Sequence, residues 1–273
     1  MTRLREVQRF EQFFWDKMGT EIKVENVKEI VALLETNPWL RKLVDLLKDV
    51  RGKKVLDCGC GVGNLSAYLV MRDARVKGFD ISSEMVKVAR ANAEKNGTNE
   101  KCNFLCCSFG DLPYRDISFD LAVGSYILHH VDIELAVREL HRVLKPGGRA
   151  VFIETWGKNP LLVWAGKYLA GRFGIAKYGT KYEHPITAVD IKKMRKVFSE
   201  VYLEFPEFIF FKKAATNVFR WKKNLKFITD ILVKMDNFIT RRFPSFNKYG
   251  YYCVIELVKS DDEKPMTRSS KRK

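Results

Sequence analysis

Short apolar runs alternate along this chain with stretches in which apolar residues return every third or fourth position. The runs around Val55-Leu56, Arg75–Phe79, Asn103–Leu105, Ser118–Ala122 and Arg149–Glu154 have the length and composition of buried strands. Val201–Phe211 and Tyr251–Val258 read as two more. Leu65–Met71 and the stretch stopped by Lys145-Pro146-Gly147-Gly148 read as helices, the second ended by its proline and glycines. Seven strands interleaved with helices predict an α/β fold, with a mostly parallel sheet and helices on both faces.

Other helices are predicted outside this frame. Leu4–Met18 and Val24–Val50 precede the first strand, and the short apolar Pro160–Leu169 follows the fifth. Ala188–Phe198 starts after Thr187, with Asp190 placed to complete a capping box. Between the last two strands a long helix is expected over Asn217–Arg241. There Val218, Trp221, Leu225, Ile228, Leu232, Met235 and Ile239 form one stripe, and Lys222, Lys223, Lys226 and Lys234 lie mostly off it. The expected organisation is a helical cap over residues 1–50 and a ligand-binding core over 51–156. The rest of the sheet follows over 157–258, with two insertions forming a lid, and then a disordered tail over 259–273.

Charge changes this picture more than length does. Residues 1–156 hold 24 basic and 22 acidic side chains, whereas 157–273 hold 25 and 11, so nearly all of the net +16 sits in the second half. Such asymmetry predicts an anionic partner: a lipid surface, RNA or an acidic substrate. No apolar run reaches the length of a membrane span, and Met1–Asp16 lacks a signal-peptide core, so a cytoplasmic protein is expected, possible contact with a membrane being peripheral. The six cysteines lack the paired spacing of a zinc site, which predicts reduced thiols and no metal.

The most specific chemistry lies in Val55-Leu56-Asp57-Cys58-Gly59-Cys60-Gly61-Val62-Gly63-Asn64. Glycines at alternate positions let the backbone press against a ligand and take positive φ. Asp80, at the end of the second strand, is spaced to accept hydrogen bonds from a ribose diol. Asp57 beside the turn disfavours a pyrophosphate and suits a cation, which points to the sulfonium and ammonium of S-adenosylmethionine (SAM).

With Asp111-Leu112-Pro113-Tyr114, Ser118-Phe119-Asp120-Leu121-Ala122, Leu128-His129-His130 and Glu139–Gly148, this segment resembles the class I SAM-dependent methyltransferases, close to their type 11 pattern, over about residues 45–156. The resemblance implies a Rossmann-like fold, SAM as cofactor, and cofactor contacts from Asp57, Gly59, Gly61, Gly63, Asp80, Ile81, Ser108, Phe109 and Ser125. Cys107-Ser108 stands where the family usually has Gly-Asp, so a carboxylate on the adenine amino group is replaced by a hydroxyl. It also implies that helices before the first strand cover the cofactor, with Phe10, Phe13, Phe14 and Trp15 as lid contacts.

Of the four histidines, His129 and His130 are expected to end the fourth strand beside the methyl group. Strand alternation would then aim only one of them inward. His130 is the expected base; His129 and His184 are further candidates, with Tyr126 and Glu154 behind them. The apolar Pro160–Leu169 and the basic amphipathic second insertion point to a small-molecule, amphiphilic or lipid-like acceptor and an anionic membrane surface. RNA methylation through the basic half, and a non-catalytic binding protein, are the alternatives.

Overall fold

The structure is a computed structural model that describes residues 2–20, 38–168, 180, 182–213 and 226–262. Its seven strands are β1 (Lys54–Cys58), β2 (Arg75–Asp80), β3 (Cys102–Cys106), β4 (Phe119–Ser125), β5 (Leu144–Thr155), β6 (Glu200–Glu204) and β7 (Tyr252–Val258). They form one sheet in the order β3-β2-β1-β4-β5-β7-β6. All pairs are parallel except those made by β7, which runs antiparallel to both β5 and β6.

Helices α1 (Thr2–Gly19), α2 (Pro38–Leu47), α3 (Asn64–Met71), α4 (Ser83–Lys95), α5 (Ile133–Val143), α6 (Pro160–Tyr168), α7 (Ala188–Met194) and α8 (Lys226–Arg242) complete the described elements. Two apolar layers follow from strand alternation. Val55, Leu121, Val123, Val151, Ile153 and Val254 pack with α2, α3 and α4 on one face. Leu56, Ala122, Ala150, Phe152 and Ile255 pack with α5 and α7 on the other. The residues that alternate along β1, β4, β5 and β7 thus feed both cores.

Several boundaries differ from expectation. The apolar run Val201–Phe211 is a strand only to Glu204; beyond it, Phe208, Phe210 and Phe211 pack on one another. The N–H groups of Phe210, Phe211 and Lys212 donate to Asp236 on α8, so a buried carboxylate holds the end of this run against that helix. In α8 the expected stripe is half-buried at Ile228, Leu232 and Ile239, but Met235 is exposed and Asp236 is the buried residue. The parts of the predicted helices at 24–37 and 217–225, and the tail at 263–273, lie outside the described residues. Lys259, expected at the start of that tail, is instead buried, and its Nζ donates to the carbonyls of His141 and Leu144 at 2.8 Å. The capping box is formed: Thr187 N donates to Asp190 Oδ2 at 3.0 Å, and the Thr187 side chain faces the Asp190 backbone N–H in return. Among the described residues no helix is long and apolar enough to cross a membrane.

Candidate active site

The strand order reverses between β1 and β4, and in open α/β sheets ligands settle outside the carboxyl ends of the strands at that point. The turn after β1 carries Gly59, Gly61 and Gly63 at φ 63°, 50° and 80°. A Cβ at Gly59 would lie 2.6 Å from Ile127 Cδ1, whereas one at Gly61 would meet no atom of the described residues within 4 Å. Gly59 therefore lets two segments of chain meet, and Gly61 leaves room for something else.

Asp80 closes β2 and is held by backbone donors. Gly61 N donates to its Oδ2 and Ser82 N to its Oδ1, both at 2.9 Å. Burial raises its pKa, and these N–H groups oppose the rise. Asp57 lies behind the turn: its Oδ2 accepts from Ser66 Oγ on α3 at 2.6 Å, and burial pushes its pKa up to about 6.

A cavity of about 620 Å³ opens here. Of the predicted cofactor residues, Gly59, Gly61, Asp80, Ile81, Ser108, Phe109 and Ser125 line it, and Asp57 and Gly63 do not. Ser125 Oγ is buried and has no hydrogen-bond partner among the described residues. Ser108 Oγ accepts from Gln8 Nε2 of α1 at 2.9 Å, so the hydroxyl that replaces the usual carboxylate ties down the covering helix. Phe109 borders the cavity while its ring packs edge-on against Phe79 in the core. Of the four aromatic residues expected as lid contacts, Trp15 lines the cavity and Phe13 faces solvent.

The far end of the cavity is built differently. β4 stops at Ser125, Tyr126 takes φ 57°, and Leu128–His130 form one 3-10 turn before Asp132 caps α5. Strand alternation therefore does not apply to His129 and His130, and both line the cavity, with ring centroids 4.2 Å apart. Glu154, fully buried on β5, accepts from the backbone N–H of Ile127 at 2.9 Å and of Leu128 at 2.6 Å. Its second oxygen lies 2.6 Å from His129 Nδ1. Burial disfavours charge on His129, but Glu154, Glu183 and Glu11 outweigh it and raise the pKa.

His130 stands between two carboxylates, Glu11 Oε2 of α1 at 3.1 Å and Glu183 Oε1 at 3.4 Å from its Nδ1. Neither lies in a hydrogen-bonding direction, so this buried nitrogen has no hydrogen-bond partner among the described residues. Thr180 fixes both acids, its hydroxyl donating to Glu11 and its N–H to Glu183. His184 is exposed on the rim. Sequence reasoning missed Gln8 and Glu11. Both lie on a helix whose mixed polarity gives no sign that part of it faces a cavity. All six cysteines are free.

This geometry defines an α/β protein with one cavity at the glycine turn, bordered by Asp80 and Ser125 and by Glu11, His129 and His130. A methyltransferase-domain family matches residues 56–152. The chain is 33% identical over 156 residues to a demethylmenaquinone methyltransferase of Thermus thermophilus, covering 51% of this chain and 70% of that one. It is also 33% identical over 159 residues to a ubiquinone biosynthesis O-methyltransferase of Chromobacterium violaceum, covering 56% and 63%. The solved geranyl diphosphate C-methyltransferase of Streptomyces coelicolor A3(2), in complex with Mg²⁺, geranyl diphosphate and S-adenosyl-L-homocysteine, superposes with a TM-score of 0.58 at 15% identity, over 93% of this chain and 98% of that one. The chain belongs to the class I SAM-dependent methyltransferase family. It spans less than two thirds of the length of several of the curated relatives that it matches.

Proposed function

We propose that this protein transfers the methyl group of SAM to a nucleophile on a small, amphiphilic acceptor. The observation that carries the reading is one continuous cavity with two chemically distinct ends. At one end, Asp80 is placed for a ribose diol, and Gly61 and Ser125 offer open backbone and an unpartnered hydroxyl. At the other, His129, His130, Glu11 and Glu183 are suited to hold an acceptor hydroxyl and take its proton. The cofactor is already activated, so the protein's main task is placement. The nucleophile must stand about 3 Å from the methyl carbon, opposite sulfur. The carbon–sulfur bond breaks as the new bond forms, leaving S-adenosylhomocysteine.

Two features favour an amphiphile over a fully polar acceptor. Leu4, Val7, Val131 and Leu135 give the cavity an apolar wall. On the surface, Phe227, Phe238, Leu161 and Trp164 are 76%, 63%, 63% and 53% exposed; Phe238 shares a patch with Lys234, Arg241 and Arg242, and Lys167 stands on the helix of Leu161 and Trp164. Such a surface suits anionic lipid, which would present a membrane-dissolved acceptor to the cavity. The named activities of the quinone relatives agree with this acceptor class.

The test is methyl-labelled SAM with purified protein and host lipid, RNA and polar-metabolite extracts. Label is expected in the lipid fraction. Label in RNA would transfer the basic half to a nucleic-acid role, and failure of the wild type to bind SAM would leave a binding protein with a methyltransferase fold. Asp80→Ala and Gly61→Leu are each expected to abolish SAM binding.

A further inference from the structure

We propose that His129, His130 and Glu183 form a site for one first-row divalent transition-metal ion at the acceptor end of the cavity. What the ion would touch rests on the methyltransferase reading above; the ligand set rests on geometry alone.

Each of the three residues offers a ligand atom within 4.8 Å of the other two. Ligands held about 2.1 Å from a common ion, at octahedral or tetrahedral angles, stand about 3.0–3.4 Å apart. His130 Nδ1 lies 3.4 Å from Glu183 Oε1 and 3.1 Å from Glu11 Oε2, which are spacings of that kind. Hydrogen bonding does not account for them, because the His130 nitrogen is buried and meets neither acid in a hydrogen-bonding direction.

The surroundings match a ligand set as well. Glu154 occupies His129 Nδ1, which leaves Nε2 with the lone pair that a metal uses. A carboxylate behind the imidazole is the usual support of a metal-bound histidine, fixing its tautomer and orientation. Glu183 is held by Thr180 N and Glu11 by the Thr180 hydroxyl, so both acids are anchored before any ion arrives. Three carboxylates around two imidazoles leave excess negative charge in a largely buried space, and a dication offsets it.

Two imidazoles with carboxylate favour zinc, cobalt, iron or manganese over magnesium and calcium, which prefer all-oxygen sets. Three protein ligands leave positions open, and His129 and His130 both border the cavity assigned to the acceptor. An ion here would hold an acceptor oxygen directly. It leaves Glu11, beside the cluster, to take the acceptor's proton.

The experiment uses the full chain without a polyhistidine tag, stripped with chelator and titrated with Zn²⁺ by calorimetry and with Co²⁺ by visible absorption. One ion per chain is expected, with affinity falling at least about tenfold in Glu183→Gln and in His130→Ala. SAM binding by the same variants reports whether they fold. An ion bound by neither titration, or bound equally tightly by both variants, overturns the proposal. If a variant also loses SAM binding, proton spectra of the Co²⁺-loaded wild type decide. Two strongly shifted imidazole N–H signals support the site, and their absence overturns it. Metal binding without SAM binding would overturn the methyltransferase reading and leave this site standing.

Discussion

At the scale of single residues, the glycine turn separates two demands that one motif combines. Gly59 is needed by the fold, because a Cβ there would strike Ile127, and Gly61 is open toward the cavity. Gly59→Ala is expected to cost on the order of 1–3 kcal/mol of stability, from a clash added to a left-handed backbone. Gly61→Ala should cost about 1 kcal/mol yet weaken SAM binding far more than its melting temperature suggests. Calorimetry paired with melting curves separates the two. Asp57 makes a different prediction. Its pKa is raised to about 6 by burial, so the folded state binds that proton more tightly than the unfolded chain does. Its ionisation therefore lowers stability as pH rises through the interval from about 4 to 6, and the loss is complete above it. Asp57→Asn should raise stability at pH 7.5 by on the order of 2–3 kcal/mol, and the gain should shrink toward pH 4. Thermal melts at the two pH values check this.

At the scale of elements, the strands were legible where apolar residues alternate between two cores, as in β4 and β5. The turn at Gly59 and Gly61 was legible because a left-handed backbone favours glycine at those positions. Two kinds of feature were not. An apolar run does not say whether its residues pair in a sheet or pack on one another, and Phe205–Phe211 does the latter. The histidine pair was misread as strand because nothing in Tyr126 announces a left-handed backbone, although that residue ends the alternation. The entry to α7, by contrast, was readable from Thr187 and Asp190 alone. Asp190→Ala removes that reciprocal cap and should lower stability by about 1 kcal/mol, measurable as a shift in denaturant midpoint with an unchanged slope.

At the scale of the whole molecule, the charge division falls between the half that holds the glycine turn and the half that carries α6 and α8. If the exposed aromatic and basic side chains there meet lipid, vesicles containing anionic lipid should retain the protein and neutral ones should not. Raising salt should release it, since screening shortens the reach of exposed charge. Replacing Lys234, Arg241 and Arg242 together with glutamate should reduce partitioning at least tenfold, at about 1 kcal/mol per basic residue near the surface. Sedimentation with vesicles measures all three.

The acid and imidazole cluster draws Glu11 from α1, His129 and His130 from the turn after β4, Glu154 from β5, and Glu183 from beyond α6. During synthesis the first of these leaves the ribosome long before the last, and a domain consolidates only when its distant parts are present. The glycine turn and Asp80 can come together after some eighty residues; Glu11 must wait for a partner encoded a hundred and seventy positions later. The acid and imidazole end of the molecule is thus completed last, when the chain beyond residue 180 folds back onto α1.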